Sequence, residues 1–327
     1  MRRLLWAVLA ASGIWGAYWF VGATALERAA RDWLASEAPR VQAAGADVAG
    51  FPNRFDLTLT DLRVGEAGSV VWQAVFLQLF ALSYKPWHLI AAFPPEQRVT
   101  LPDGTVLIVT ADKLQASLVV TPSTAVALDR IVVAGNRLGL RAEDRPGMTL
   151  DALRFATRRD ATRTDTHEIG LEVNGLRPDQ GLLAAPPDRP LPPGDVTMRL
   201  DALIGFSAPL DRFAGETQPM PILIDLKEAR AVWGDIVIEA TGRIVPDAAG
   251  LAEGQIDIGL SGWDSAIALA VATGALRPEI APTWAELARR LAEASPTSGR
   301  IELPLVFADG RMRLGPLPLG RAPRLLP

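Results

Sequence analysis

Residues 55–64 read FDLTLTDLRV and alternate apolar with polar side chains. In an extended chain every second side chain lies on the same face, so this alternation predicts a β-strand. The apolar positions are odd-numbered as far as Leu59 and even-numbered from Leu62. One extra residue in the strand would produce such a change, and we therefore predict a β-bulge at Asp61.

The same alternation recurs along the chain, and turn sequences separate the segments that carry it. Alternating segments occur at residues 196–204, 236–238 and 256–260. The turns combine glycine with aspartate, asparagine or proline: Pro102-Asp103-Gly104, Gly135-Asn136 and Ala308-Asp309-Gly310. Hairpins in succession, without helices between them, predict a mainly β fold of the β-rich α+β type. We expect an elongated antiparallel meander that can curve into a groove.

Three segments depart from this β pattern. Residues 264–276 and 282–294 are predicted to form two short helices near the C-terminus; the second has proline near its start and apolar side chains at helical spacing. Residues 176–194 are rich in proline and predict a loop between two β-rich halves. The predicted halves are residues 46–175 and 195–327.

The stretch at residues 69–87, SVVWQAVFLQLFALSYKPW, is apolar on both faces of an extended strand. One face carries Trp72, Phe76, Phe80 and Leu82, and the other carries Val71, Val75, Leu77 and Leu79. A strand in a one-sided sheet is polar on its outer face. This strand therefore lies inside a core or lines an apolar cavity. The first set is the candidate apolar ligand face, and a plain core is the alternative.

Residues 4–26 form an apolar run without a charged side chain, directly after Arg2 and Arg3. At about 1.5 Å per residue the run can cross a hydrocarbon core about 30 Å thick, so residues 1–26 predict a transmembrane anchor. The positive-inside rule places the arginines in the cytoplasm and the rest of the chain in the periplasm. Aromatic residues suited to the membrane interface lie toward the outer end of the run: Trp15, Tyr18, Trp19 and Phe20.

A cleaved signal peptide is the alternative interpretation of this run, because Ala23-Thr24-Ala25 resembles a cleavage site. The run is longer than a usual signal-peptide core, which favours a retained anchor. Either interpretation predicts export. Residues 27–45 are rich in alanine, glutamate and arginine, and predict a helical stalk that Pro39 can kink or break.

Composition excludes several kinds of functional site. The chain has no cysteine, which rules out disulfides, thiolate metal sites and cysteine nucleophiles. The two histidines are His88, in an apolar context that indicates a structural role, and His167. On a strand Asp165 and His167 would share one face, but two ligands do not make a zinc site.

Motifs for catalysis and nucleotide binding are also missing from the sequence. Residues 259–263, GLSGW, come nearest to a nucleophile elbow but place the second glycine one position early. A P-loop and a dinucleotide-binding fingerprint are absent. We predict no catalytic, cofactor-binding or metal-binding residues and no enzymatic activity. The net charge of −4, with basic residues scattered among acidic ones, disfavours nucleic acid as a partner.

Residues 50–57, GFPNRFDL, and residues 310–323, GRMRLGPLPLGRAP, resemble the opening and closing segments of domain of unknown function family 2125. These are uncharacterised alphaproteobacterial envelope proteins, and the resemblance covers nearly the whole chain. It implies an envelope location, and no catalytic or binding residues. The anchor, the extended strands and turns such as Thr241-Gly242-Arg243-Ile244 are also similar in architecture to AsmA-type envelope proteins, which carry lipids along β-grooves.

Two functional hypotheses follow. The first is a protein anchored in the inner membrane whose periplasmic sheet binds or conveys membrane lipid, or another apolar ligand, in envelope maintenance. The alternative is a non-catalytic scaffold or assembly factor that binds another envelope protein through exposed sheet edges or an apolar patch.

Overall fold

The computed structural model describes residues 1–66, 68–143, 145–179, 192–295 and 299–326. Strands make up most of this chain, which confirms the β-rich fold class. The chain divides into two compact units. The N-terminal unit contains Met1–Pro122 and Val133–Arg145, and the C-terminal unit contains Ser123–Val132 and Pro146–Pro327.

The N-terminal unit is one long helix and a set of antiparallel strands. Its elements are α1 Arg2–Glu37, β1 Val41–Gln42, β2 Gly45–Ala49, β3 Arg54–Val64, β4 Val71–Leu82, β5 Lys85–Ala92, β6 Glu96–Thr100, β7 Val106–Thr110 and β8 Lys113–Val120. The next strand, β9 Leu128–Ala142, begins in the C-terminal unit and ends in this one.

Strand β4 departs from a simple meander because it has two partners on the same edge. Its first residues, 71–74, pair with β6, and residues 78–82 pair with β5. Strand β5 then pairs with β8, while β6 pairs with β7 and β7 with the end of β9. The sheet therefore divides into two branches along β4.

The C-terminal unit is a meander, in which each strand pairs with the next. Its elements are β10 Met148–Arg159, β11 Thr166–Pro178, β12 Val196–Phe206, α2 Ala214–Thr217, β13 Pro221–Trp233, β14 Ile236–Pro246, β15 Ala252–Ser261, α3 Trp263–Ala272, a 3₁₀ turn Pro278–Ile280, α4 Ala281–Ala294, β16 Ile301–Ala308, β17 Arg311–Leu314 and β18 Leu317–Arg321. Pairing runs in chain order from β10 to β18. This confirms the antiparallel meander; the curved groove stays a prediction.

Helices α3 and α4 confirm the two helices that apolar spacing predicts near the C-terminus. Ala288 and Ala292 of α4 pack with Ile301 of β16, one turn apart on the buried face of the helix. Gly242, which the sequence suggested to be in a turn, instead lies inside β14.

The proline-rich segment 176–194 does not separate two halves as predicted. Residues 180–191 lie outside the described residues, but the strands on either side of them, β11 and β12, are paired neighbours in one sheet, with Leu176 opposite Val196. The segment therefore connects adjacent strands of the same unit. The division between compact units falls between residues 122 and 146 instead.

The predicted helix at residues 27–45 is confirmed as far as Glu37, with its end before Pro39, but the stalk that should lift the domain off the bilayer is wrong. Helix α1 ends at Glu37, because Pro39 disfavours helical backbone at Ala38, which is extended (φ −66°, ψ 138°). One face of the helix does not stand free in solvent. Leu26, Ala30 and Leu34 pack on strands β1 to β4 in a core with buried side chains at Val41, Ala46, Leu57, Leu59 and Leu62.

Asp61 marks a change of face in β3, as predicted, but not through an inserted residue. Leu59 and Leu62 are both buried in the core under α1. The register with β4 is the same on either side, since Thr60 lies opposite Phe76 and Leu62 opposite Ala74. Asp61 has a left-handed backbone (φ 49°), and we attribute the change of face to this local rotation.

Candidate functional site

Helix α1 is long and apolar enough to span a membrane. Its 36 residues include an 18-residue window of mean hydropathy 1.6, and only 6% of that window is buried inside the protein. The first 15 residues are all exposed, and contact with the domain begins around Trp15. The helix therefore has a free N-terminal part and a part that packs on the sheet.

The predicted interface aromatics dock the helix onto one end of the sheet. Three of them donate hydrogen bonds to backbone carbonyl oxygens of the domain: Trp15 Nε1 to Pro52 (3.0 Å), Tyr18 Oη to Ser83 (2.9 Å) and Trp19 Nε1 to Arg54 (2.6 Å). The acceptors lie on the β2–β3 turn, at the start of β3 and on the β4–β5 turn. Each of these bonds gives a backbone carbonyl group of the domain a partner on the helix.

Ring contacts reinforce this docking. Trp19 stacks on Phe55 at 6.0 Å between centroids and meets the edges of Phe20 and Phe51 at 5.2 and 5.4 Å. Gly22 allows the approach, since a Cβ atom there would lie 2.8 Å from Cζ of Phe55. Trp19 is only 5% exposed and its ring faces the protein, whereas Phe20 stays 61% exposed; the assignment of these aromatics to the membrane interface stays a prediction.

The candidate ligand face on β4 is divided by the structure. Trp72 packs against the core under α1, together with Leu77 and Leu79 of the opposite set. Its Nε1 donates a hydrogen bond to Oε1 of the buried Gln97 (3.0 Å). Trp72 is therefore a core residue in this unit, and the sequence was wrong to group it with the other three.

Phe76, Phe80 and Leu82 remain half-buried and lie outside the core under α1. Opposite them on β3 the residues are polar, with Thr60 facing Phe76 and Asp56 facing Phe80. On the other side Phe80 lies opposite Ile90 of β5. We call Phe76, Phe80 and Leu82 the β4 apolar row.

A charged pair lies at the end of the β4 apolar row that adjoins Tyr18 and Trp19 of α1. The guanidinium of Arg54 is 2.7 Å from a carboxylate oxygen of Asp56, and its Cζ lies 5.8 Å from the Phe80 ring centre. The Arg54 side chain is 56% exposed. Its planar group can therefore accept a further anionic partner, such as a phosphate, beside an apolar surface.

Each of the two histidines has a hydroxyl oxygen within hydrogen-bonding distance of a ring nitrogen. Nε2 of His88 lies 2.9 Å from Oγ of Ser117. His167 is buried, with Nδ1 3.3 Å from Oγ1 of Thr157. Asp165 lies just before β11 and has a left-handed backbone (φ 47°). It is therefore not on the strand, and the expectation that Asp165 and His167 share one strand face is wrong. No group of three potential ligands that could hold a metal occurs in the described part of the chain.

Burial lowers the pKa of the His167 imidazole below its ordinary value, and the positive charge of Arg159 lowers it further. The unfolded chain takes up a proton near pH 6.5, while the folded chain resists it. We therefore expect stability to fall as the pH drops below about 6.5. Denaturant unfolding of the full chain at pH 7 and pH 5 should show a smaller loss for His167→Gln. An equal loss in both proteins would contradict this assignment.

An apolar helix docked on antiparallel strands defines a β protein with a candidate N-terminal membrane anchor. Within that class, residues 19–323 match the model of the family DUF2125, described as an uncharacterized protein conserved in bacteria. The chain belongs to this family, which confirms the resemblance carried by its opening and closing segments. No curated protein and no solved structure matches the chain. The similarity to AsmA-type proteins stays a prediction.

Proposed function

We propose that this protein is anchored in the bacterial inner membrane by α1, with its N-terminus in the cytoplasm, and that its periplasmic β domain binds membrane lipid. Arg2 and Arg3 before the apolar run support the orientation. The role is non-catalytic in this proposal.

The position of the β4 apolar row carries the proposal. The row begins at Leu82, next to Ser83, whose carbonyl oxygen accepts the hydrogen bond from Tyr18 of the anchor. It extends to Phe76 over six residues of strand, or about 20 Å at about 3.3 Å per residue, with Gln78 between Phe76 and Phe80. That length is comparable to an extended acyl chain, and the row leads away from the N-terminal, membrane-spanning part of α1, whose C-terminal part packs along the same strands.

Arg54 completes the chemistry that a phospholipid needs. Its half-exposed guanidinium lies beside Phe80 at the anchor end of the row. A phosphate can bind there while an acyl chain covers Phe80 and Phe76. Covering apolar surface contributes about 25 cal/mol per Å², so a row of this kind can retain a chain without a deep pocket.

A photo-crosslinking amino acid at position 76 tests lipid binding in native membranes. We expect a phosphorus-labelled lipid adduct with the full-length chain when the probe replaces Phe76, because the ligand covers this side chain. The same probe at Val75, which is 64% exposed on the same strand, is the matched control and should give little adduct. A protein adduct at position 76 in place of lipid would contradict the proposal and favour the scaffold alternative.

A further inference from the structure

Two turns at one end of the N-terminal unit lie beside the anchor helix. Residues 50–53 connect β2 to β3, and residues 83–84 connect β4 to β5. They are bonded to each other, since the backbone N–H and the hydroxyl of Ser83 both donate to the carbonyl of Asn53 (2.9 and 3.1 Å). The hydrogen bonds from Trp15 and Tyr18 hold this pair of turns at one level of the helix.

The level of the turns follows from the length of the anchor. At about 1.5 Å per residue, Trp15 and Trp19 lie about 17 and 23 Å beyond Leu4, where the apolar run begins. A hydrocarbon core about 30 Å thick would extend from Leu4 to about residue 23. A tilted helix rises less per residue and places the same residues deeper. If α1 spans the membrane from Leu4, the turns therefore lie in the outer half of the hydrocarbon core, between its midplane and its outer interface.

The side chains of the turns suit that position. Phe51 is 55% exposed and stacks on Phe20 of the helix, which is 61% exposed, and Tyr84 is 61% exposed. Aromatic rings of this kind favour the membrane interface. Lys85 follows Tyr84 and is exposed, so its long side chain can reach the phosphate layer.

The backbone at this end of the unit also suits contact with lipid. Unpaired carbonyl groups are costly in hydrocarbon. The carbonyl oxygens of Pro52, Asn53 and Ser83 all accept hydrogen bonds from within the protein. These three carbonyl groups are therefore satisfied by α1 and by the neighbouring turn.

We infer that the turns at residues 50–53 and 83–84 insert into the outer leaflet beside α1, so that the sheet stands directly on the bilayer. This inference rests on the membrane anchoring proposed above. With the turns inserted, an acyl chain can pass from the bilayer directly onto the β4 apolar row, because Leu82 adjoins the inserted turn at residues 83–84. The partner is the lipid surface, recognised by exposed aromatic rings and an adjacent lysine.

Depth-dependent quenching tests the insertion. The chain contains no cysteine, so Tyr84→Cys and Phe51→Cys each provide one labelling site for an environment-sensitive fluorophore. The full-length protein is reconstituted in vesicles of phosphatidylethanolamine and phosphatidylglycerol that contain nitroxide-labelled lipid. We expect most of the fluorescence at positions 84 and 51 to be lost. Asp103→Cys, in the exposed β6–β7 turn, is the control and should keep its fluorescence.

The outcomes separate this inference from the proposed anchoring. Carbonate washing of the membranes reports whether α1 holds the protein in the bilayer. Release into the supernatant would overturn the anchoring and this inference together. Retention in the pellet with unquenched label at position 84 would overturn the insertion alone. Crosslinking of Tyr84→Cys to a second copy of the chain, without quenching, would assign the turns to a protein contact and also overturn it.

Discussion

Replacing Trp19 by alanine should lower the free energy of unfolding of the N-terminal unit by about 3 to 5 kcal/mol, the range for removing a large buried aromatic side chain. Trp19 is 5% exposed, stacks on Phe55 and donates a hydrogen bond to the Arg54 carbonyl. The substitution leaves a cavity between the helix and the sheet and removes the hydrogen bond to the Arg54 carbonyl. Denaturant unfolding of the full-length protein in detergent micelles measures the loss.

Trp6→Ala is the matched control for this experiment. It makes the same substitution in the same helix, but Trp6 is 71% exposed and lies before the docked part of α1. We expect the unfolding free energy of this variant to stay close to that of the parent protein. Equal stability of Trp19→Ala and Trp6→Ala would show that α1 is not docked through Trp19.

Gly254→Ala should destabilise the C-terminal unit by an amount on the order of 4 kcal/mol or more, since it forces a clash between two strand backbones. Gly254 has a φ of +137°, which side chains other than glycine rarely tolerate. A Cβ atom there would lie 2.1 Å from the carbonyl oxygen of Arg243 on β14. We expect hydrogen exchange to lose protection along β14 and β15, with a large drop in melting temperature.

Gly170→Ala tests whether loss of a strand glycine is harmful in general. Gly170 lies in β11, and the nearest atom to a new Cβ there is the Leu200 carbonyl oxygen at 4.0 Å. We expect little change or a small gain in stability, because alanine restricts the unfolded chain more than glycine does. Similar losses in both variants would contradict the explanation by backbone clash at Gly254.

Local patterns in the sequence were sufficient to predict the fold class and the positions of several helices and strands. The alternation at residues 55–64 predicted β3, and helical spacing predicted α4 within one residue at its start. Such signals work because the period of apolar side chains follows directly from backbone geometry. They also identified α1 as a candidate anchor, since length and hydropathy are properties of a single segment.

The functional assignments were less predictable because they depend on contacts between distant residues. Trp72 and Phe76 both looked like members of one face, yet Trp72 packs under α1 and bonds to Gln97. The two branches of pairing along β4 could not be read from its alternation. Phe51 and Tyr84 gave no signal of their own, because their significance comes from the turns being held at the level of the anchor aromatics.

The sequence by itself determined that this is a β-rich chain with one apolar N-terminal helix. Only the tertiary structure decided which aromatic residues face protein and which face outward. Trp19 and Phe20 are neighbours in the same apolar run, but one is 5% exposed and the other 61%. Lipid and protein interior favour the same apolar side chains, so hydropathy cannot distinguish them. The distinction comes from the partners that the fold brings to each ring, which for Trp19 are Phe55 and the Arg54 carbonyl.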